Sequence, residues 1–148
     1  MGKQNKKPKQ KVVVLSNPKT PHITPTGTNH LSPVWKFSIF DAEGPWGVER
    51  LARGKVLEEI LEKLRNFESQ TWAQIEQAEK QHHSVLTQIL IKKANDRLEV
   101  LQLDDVEELF RFRLTGKQRI WGIRDRNILK ILWWDDDHEI CPSQLRNT

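Results

Sequence analysis

The sequence predicts an α+β domain with an N-terminal strand, two to three helices and then a three-strand antiparallel meander. Two observations predict this class. Apolar residues recur at helical spacing between residues 57 and 98, and they alternate with period two after residue 103. At 148 residues the chain has room for one domain with its own core plus an arm. We expect the helices to cover one face of a mostly antiparallel sheet.

The charge distribution separates a flexible, basic, proline-rich arm at 1–33 from a folded domain at 34–148. Residues 1–36 hold seven lysines and no acid, whereas the rest of the chain holds 17 basic and 20 acidic residues. The high pI of about 9.3 therefore comes from the arm. Residues 12–15 (VVVL) could add a strand to the domain or to a partner, but the prolines that follow favour a linker.

The first half of the domain carries the helix signals. The segment 34–41, VWKFSIFD, predicts the first strand. One helix is predicted by apolar residues at three-and-four spacing: Leu57, Ile60, Leu61, Leu64 and Phe67. Thr71 and Gln74 match a capping box that starts a short helix. A polar loop follows through 82–84, and a second amphipathic helix is predicted by Leu86, Ile89, Leu90, Ala94 and Leu98.

The second half predicts the meander. Phe110 and Phe112 face one side of a strand while Arg111 and Arg113 face the other. Turns are predicted at 115–117, around a glycine, and at 125–127. The last strand, 127–134, is almost continuously apolar, so we expect it to be covered on both faces, with Trp133 and Trp134 on opposite sides.

Basic residues are concentrated on this meander. The 20 residues 111–130 contain one acid, Asp125, and seven basic residues: Arg111, Arg113, Lys117, Arg119, Arg124, Arg126 and Lys130. Positive charge fixed on a sheet can hold a phosphate backbone in register, which makes RNA or DNA the leading ligand. Exposed arginines on an edge strand can also serve only to discourage aggregation.

Other chemistries find little support. The single cysteine, Cys141, excludes a disulfide framework and a cysteine-rich zinc site. Three consecutive acids at 135–137 could hold Mg²⁺ but are more typical of a turn. We expect no cofactor and no metal. No apolar run reaches membrane-spanning length and no signal peptide is evident, so we expect a cytoplasmic protein that does not bind a membrane.

The chain resembles the RelE/ParE superfamily of toxins from type II toxin–antitoxin pairs over about residues 34–142, so the predicted domain at 34–148 would be RelE-like. The resemblance is carried by the segments FRFRL (110–114), KQRIW (117–121) and the apolar strand that follows. It matches a pair of strands with arginines on both and a glycine turn between them. Trp121 stands where a tyrosine is usual. The resemblance implies a concave basic sheet, cleavage of mRNA, often on the ribosome, and a cognate antitoxin as partner.

If the protein is a metal-independent endoribonuclease, the residue types suggest the roles. Arg119 and Arg113 would stabilise the charge that develops on phosphorus, and His138 would act as general acid or base. The expected RNA-binding residues are Arg111, Lys117, Trp121, Arg124 and Arg126. Trp121 or Trp134 could stack on a base. Each of these residues could also have a simpler role. A histidine in a loop is often only solvated, and a tryptophan is often part of the core.

Two further functions remain open at this point. A ParE-like toxin would inhibit a protein target such as gyrase, with the arginines as contact residues. A non-catalytic RelE-fold binding module would have neither activity. One property weakens the nuclease hypothesis: the domain without its arm is net negative, whereas RelE-type enzymes are usually strongly basic.

Overall fold

A computed structural model describes residues 27–78 and 81–142 as an α+β fold. Its sheet has five strands: β1 Val34–Lys36, β2 His83–Leu86, β3 Glu108–Arg113, β4 Arg119–Asp125 and β5 Ile128–Asp135. Four α-helices accompany them among the described residues: α1 Val48–Leu51, α2 Val56–Glu68, α3 Trp72–Gln77 and α4 Lys92–Val100. The predicted arm lies outside the described residues up to position 26. Its last part, 27–33, forms a turn whose Leu31 carbonyl accepts a hydrogen bond from the Trp72 amide.

The three C-terminal strands belong to a larger, five-stranded mixed sheet. The sheet order is β1-β5-β4-β3-β2, and β3, β4 and β5 pair antiparallel in chain order. Both predicted turns contain a residue in the left-handed region, Gly116 with φ 57° and Arg126 with φ 57°. A bulge between Trp121 and Gly122 interrupts the β4–β5 pairing, and a Cβ at Gly122 would lie 2.5 Å from the Lys130 carbonyl oxygen.

The other two strands differ from the predictions. β1 ends at Lys36 instead of continuing to residue 41, because the chain turns at Phe37–Phe40 and Asp41 then binds Arg97 of α4 through two hydrogen bonds of 2.8 and 2.6 Å. β1 pairs parallel to β5. β2 occupies the segment predicted as a polar loop and pairs antiparallel with β3, so the prediction of a loop at 82–84 was wrong.

The helices lie near the positions that the sequence predicts, but not all of them have the predicted length. α2 contains all five apolar residues whose spacing predicted a helix, and the capping box of α3 is present in both halves: Gln74 N–H donates to the Thr71 hydroxyl at 3.2 Å and Thr71 N–H donates to Gln74 Oε1 at 2.9 Å. α4 begins only at Lys92. Leu86 and Ile89, expected on its buried stripe, are 44% and 59% exposed.

Helices cover both faces of the sheet, so the expected arrangement on one face was wrong. On one face, here called the α2–α3 face, a core cluster joins Phe110, Phe112, Ile120 and Trp134 to residues of α2 and α3. On the other, the α4 face, Leu109, Trp121 and Trp133 pack with residues of α4 and with Trp46 and Ile140. Trp133 and Trp134 lie on opposite faces as predicted, and both are buried.

Among the described residues, no helix combines the length and the apolar character that a transmembrane span requires.

Candidate functional site

Three arginines of the meander share one end of the α4 face. Arg111 and Arg113 are two positions apart on β3, on the side of the strand that also carries Leu109. Arg119, at the start of β4, pairs with Arg113 across the two strands. We call Arg111, Arg113 and Arg119 the arginine cluster. The alternation of β3 and the antiparallel register are what bring these guanidinium groups together.

Arg111 is buried without a carboxylate partner. The residue is 9% exposed, its Nη2 lies 3.0 Å from His83 Nε2, and its Nε has no hydrogen-bond partner. Burial lowers the pKa of the guanidinium, and the neighbouring charge of Arg113 lowers it further. No described carboxylate forms an ion pair with it.

Arg119 is more buried still, at 4% exposed. Its Nη1 donates to the carbonyl oxygens of Gly116 at 2.7 Å and Gln118 at 2.9 Å, while its Nε has no partner. Burial lowers its pKa to about 10, with further lowering from Arg111 and Arg113. A guanidinium with this pKa is still charged at neutral pH, so Arg119 keeps its positive charge in a poorly hydrated place, while Arg113 beside it is exposed.

Asp135 lies opposite Arg119 in the sheet but does not pair with it. The carboxylate is fully buried and accepts hydrogen bonds from the backbone amides of Asp137 at 3.2 Å and Ile140 at 2.9 Å. Burial raises the pKa of Asp135 although these amide bonds oppose the shift. Asp135 therefore shapes the loop that follows β5, and its nearby charge offsets that of Arg119 only weakly.

That loop carries His138 toward the arginine cluster. The residue adopts the left-handed region with φ 51°, and its Nε2 is buried without a hydrogen-bond partner. Burial is the largest cause of the lowered pKa of His138. The charges of Arg119, Arg111 and Arg113 lower it further. The imidazole is therefore neutral at pH 7, which makes it a proton acceptor rather than a donor.

A second histidine at the site was missed by the sequence analysis. His83 of β2 pairs with Arg111 in the register of the sheet. Because arginine can only donate, His83 Nε2 accepts from Arg111, and Nδ1, 3.0 Å from the Ser84 carbonyl oxygen, carries the proton. The signal for this position was a four-residue strand with a single buried residue, Val85, which is too weak to recognise by alternation.

His82 points the other way and has a structural role. It packs edge-on against Phe67, and its Nδ1 accepts a 3.1 Å hydrogen bond from the backbone N–H of Arg113. Burial lowers its pKa to about 4, with contributions from Arg111 and the other nearby cations. Its neutral imidazole is part of the core.

Several predicted RNA-binding residues lie outside the cluster. Arg124 is on the α2–α3 face, paired with Glu76, bonded to Asn29 Oδ1 at 2.7 Å and stacked on the Trp72 ring with its Cζ 4.0 Å from the centroid. Arg126 lies in the β4–β5 turn, at the opposite end of the sheet, with Asp125 at 3.5 Å. These positions remove both residues from the predicted basic surface.

The tryptophans are not available for stacking either. Trp121 is 0% and Trp134 2% exposed, so neither presents a ring face to solvent on which a base could stack. Lys117 is exposed in the β3–β4 turn, beside the cluster, with its Nζ 3.5 Å from Asp137. Of the eight predicted site residues, the structure therefore brings together Arg111, Arg113, Arg119 and His138, with Lys117 at the margin.

The acidic triplet at 135–137 is divided among different partners. Asp136 forms ion pairs with Arg50 and Arg53, and Asp137 with Lys117. No group of three or more histidines, cysteines or acids that could hold a metal ion occurs within 27–78 and 81–142. Burial raises the pKa of Cys141, so its thiol is protonated at neutral pH.

No protein-family model matches the chain, and no curated protein and no solved structure is significantly similar to it. The resemblance to RelE/ParE toxins stays a prediction based on residues 34–142.

Proposed function

We propose that this chain is the toxin of a toxin–antitoxin pair and cleaves mRNA at the arginine cluster by a metal-independent, RelE-like mechanism. The observation that carries the proposal is the burial of Arg111 and Arg119, 9% and 4% exposed, without a carboxylate bonded to either. Buried charge that the protein leaves unpaired is costly, and a bound anion would offset that cost. Guanidinium groups bind phosphate oxygens through charge-assisted hydrogen bonds, so the anion we propose is a phosphodiester.

Cleavage would begin with attack of a ribose 2′-hydroxyl on the adjacent phosphorus. The hydroxyl must lose its proton, the phosphorus gains negative charge, and the 5′-oxygen leaves with a proton. Arg119 and Arg113 would stabilise the developing charge, since the register of β3 and β4 places the two residues opposite each other. Arg111 would hold the phosphate before the reaction.

His138 is the proposed general base. Its lowered pKa keeps the imidazole neutral, and its Nε2 has no partner among the described residues that would compete for the proton. Once it has taken the proton, the imidazolium is near three guanidinium groups, so the bound phosphate would be needed to make protonation favourable. The proton for the leaving 5′-oxygen must come from a second group, and we assign this role to His83 in its protonated form. With Arg111 moved from His83 Nε2 to the phosphate, Nε2 can carry a proton, donate it to the 5′-oxygen and return to the neutral imidazole.

The consecutive antiparallel strands β3, β4 and β5 support a RelE-like layout. Helix α4 on the face of the cluster restricts the open surface to one end of the sheet. A cognate antitoxin would present carboxylates at that end and so occupy the place of the phosphate. Such a pair would act in the cytoplasm.

Inducible expression in a heterologous bacterium, with primer extension on a reporter transcript, tests the proposal. Wild-type protein should arrest growth and cut the transcript, and Arg119→Met combined with His138→Gln should reduce cutting at least about 100-fold. Arg65→Met, an exposed arginine on α2, is the matched control and should cut like wild type.

Each contrary outcome has a definite meaning. Uncut transcripts, on and off ribosomes, would refute the nuclease. Growth arrest with intact transcripts would instead support a protein target, and the absence of arrest would support a binding module without activity.

A further inference from the structure

An apolar surface on the α2–α3 side of the molecule lacks a partner among the described residues. Phe37, Leu57 and Leu61 are 56%, 51% and 55% exposed, although all three line the same cavity of about 100 Å³. The walls of that cavity are entirely aliphatic and aromatic, with Ile131 and Trp134 at its sheet side. We call Phe37, Leu57 and Leu61 the apolar stripe.

The stripe contradicts the amphipathic pattern of α2. Five residues of this helix were expected to face the core, and Ile60, Leu64 and Phe67 do. Leu57 and Leu61 lie one turn apart at the edge of that face and remain half exposed. Neighbouring large apolar groups in solvent, beside a cavity that they only partly fill, are typical of a surface that binds another segment.

Acidic residues border the stripe on its solvent side. Glu58 and Glu62 follow Leu57 and Leu61 by one position, and both are exposed. Neither carboxylate takes part in an ion pair with another described residue. The complementary ligand is therefore a short apolar segment with basic residues beside it.

We propose that the stripe binds the chain's own N-terminal segment, with residues 12–15 (VVVL) on Phe37, Leu57 and Leu61 and with the lysines that precede them near Glu58 and Glu62. The segment KKPKQKVVVL, residues 6–15, has the required order of charge and apolar side chains. It contains four lysines and no acid, so it matches the border of the stripe in sign.

The tether is long enough. Eleven residues, 16–26, lie between position 15 and Gly27, where the described chain begins, and the twelve steps from Cα to Cα span about 40 Å when extended. The chain enters the described structure beside the start of α3, where the Ala73 amide donates to the Asn29 carbonyl. Because α3 follows α2 almost directly, this point is near the C-terminal end of a helix that is only about 20 Å long.

Because the segment belongs to the same chain, weak contacts are enough for it to bind the apolar stripe. A segment joined to its own domain by a linker of this length meets its site at an effective concentration near the millimolar range. A four-residue apolar segment would bind poorly as a separate peptide. As part of this chain, it can occupy the stripe much of the time.

Disulfide trapping on the full chain tests the proposal. In a Cys141→Ser background, Val13→Cys is combined with Leu61→Cys, and in the control with Val100→Cys, which is 69% exposed on α4 of the other face. Under mild oxidation the Leu61 pair should form an intramolecular disulfide at least about tenfold faster than the Val100 pair. Adding Val12→Asp and Val14→Asp should reduce the Leu61 pair to the rate of the control.

Charge supplies a second measurement. Glu58→Gln with Glu62→Gln should slow trapping, and so should high salt, because the lysines would lose their partners. Equal rates for the two pairs would overturn the proposal. So would disulfides that form only between molecules and depend on protein concentration, since these would assign the stripe to a second copy. Far-UV circular dichroism of each reduced variant shows whether it is folded, and Val13→Cys with Phe37→Cys replaces any variant at Leu61 that is not.

Discussion

Two environments for buried arginine occur on opposite faces of the same strands. Arg124, on the α2–α3 face, is paired with Glu76, bonded to Asn29 and stacked on Trp72. Arg119, on the α4 face of the same strand, donates only to carbonyl oxygens and has Arg111 and Arg113 as charged neighbours. Burial lowers the pKa of both guanidinium groups, but only for Arg124 does a bonded carboxylate oppose the shift.

The difference separates a structural arginine from a binding one. Arg124 joins β4 to α3 and to the turn at 27–33, so its charge is used within the fold. Arg119 and Arg111 keep unused donors and have no bonded carboxylate, which the fold tolerates at a cost in stability. Such a cost is expected where a ligand makes the missing contacts.

The largest expected effect concerns stability. Arg124→Met should reduce the free energy of unfolding by about 2 to 3 kcal/mol, because it removes the stack on Trp72 and the hydrogen bond to Asn29, with a smaller part from the ion pair with Glu76, whose side chain is 35% exposed. Arg119→Met should change it by less than about 1 kcal/mol or increase it, since it removes an unpaired buried charge. Urea unfolding of both variants measures the difference.

A double-mutant cycle of Arg124→Met with Glu76→Gln sharpens the result. The two substitutions should be clearly non-additive if the pair carries the effect. Equal destabilisation at Arg119 and Arg124 would abolish the distinction between the two environments.

Acid provides the second test, through His82. Its pKa is lowered to about 4 from 6.5, so the unfolded chain takes up a proton below pH 6.5 that the folded chain refuses until about pH 4. The neutral, buried His82 therefore makes its full contribution to stability above pH 6.5, and this contribution is lost as the pH falls toward 4. Between pH 7.5 and 5 the loss amounts to about 2 kcal/mol.

The arginine cluster is part of the cause, because the charge of Arg111 is, after burial, the largest contribution to the lowered pKa of His82. Arg111→Met should therefore reduce the acid sensitivity, while Arg124→Met, whose charge is already paired, should leave it unchanged. Urea unfolding at the two pH values, with His82→Gln as the control that removes the titrating group, gives the comparison. An unchanged acid sensitivity in Arg111→Met would show that the cluster does not act on His82.

The parts of the fold that the sequence predicts correctly depend on local signals. The helical spacing of α2, the capping residues Thr71 and Gln74, and the alternation of β3 all act within a few residues, and all are present. Strand β2 is not predicted from the sequence, because it is a short edge strand that forms through its pairing with β3. The position of α4 on the second face of the sheet likewise depends on tertiary packing, which no local sequence pattern indicates.

The site follows the same division. Alternation on β3 correctly predicts that Arg111 and Arg113 share a face, and the glycine turn then brings Arg119 beside them. A count of charges along 111–130 cannot distinguish Arg119 from Arg124, however. The carboxylate that neutralises Arg124 is Glu76, which is 48 residues away in the chain.

The smallest expected effect is the response of the cluster to an anion. Sulfate or inorganic phosphate bound there would counter the charges of Arg111 and Arg119, and the pKa of His138 would rise toward its ordinary value because those charges help to lower it. At ten times the dissociation constant the anion should also add about 1.4 kcal/mol to the free energy of unfolding. NMR titration of the His138 ring signal, with and without the anion, measures the first effect, and urea unfolding measures the second. Arg119→Met should remove both responses, whereas Arg65→Met should keep them. If the His138 signal titrates identically with and without the anion, the buried guanidinium groups do not form an anion site and are only a cost to the fold.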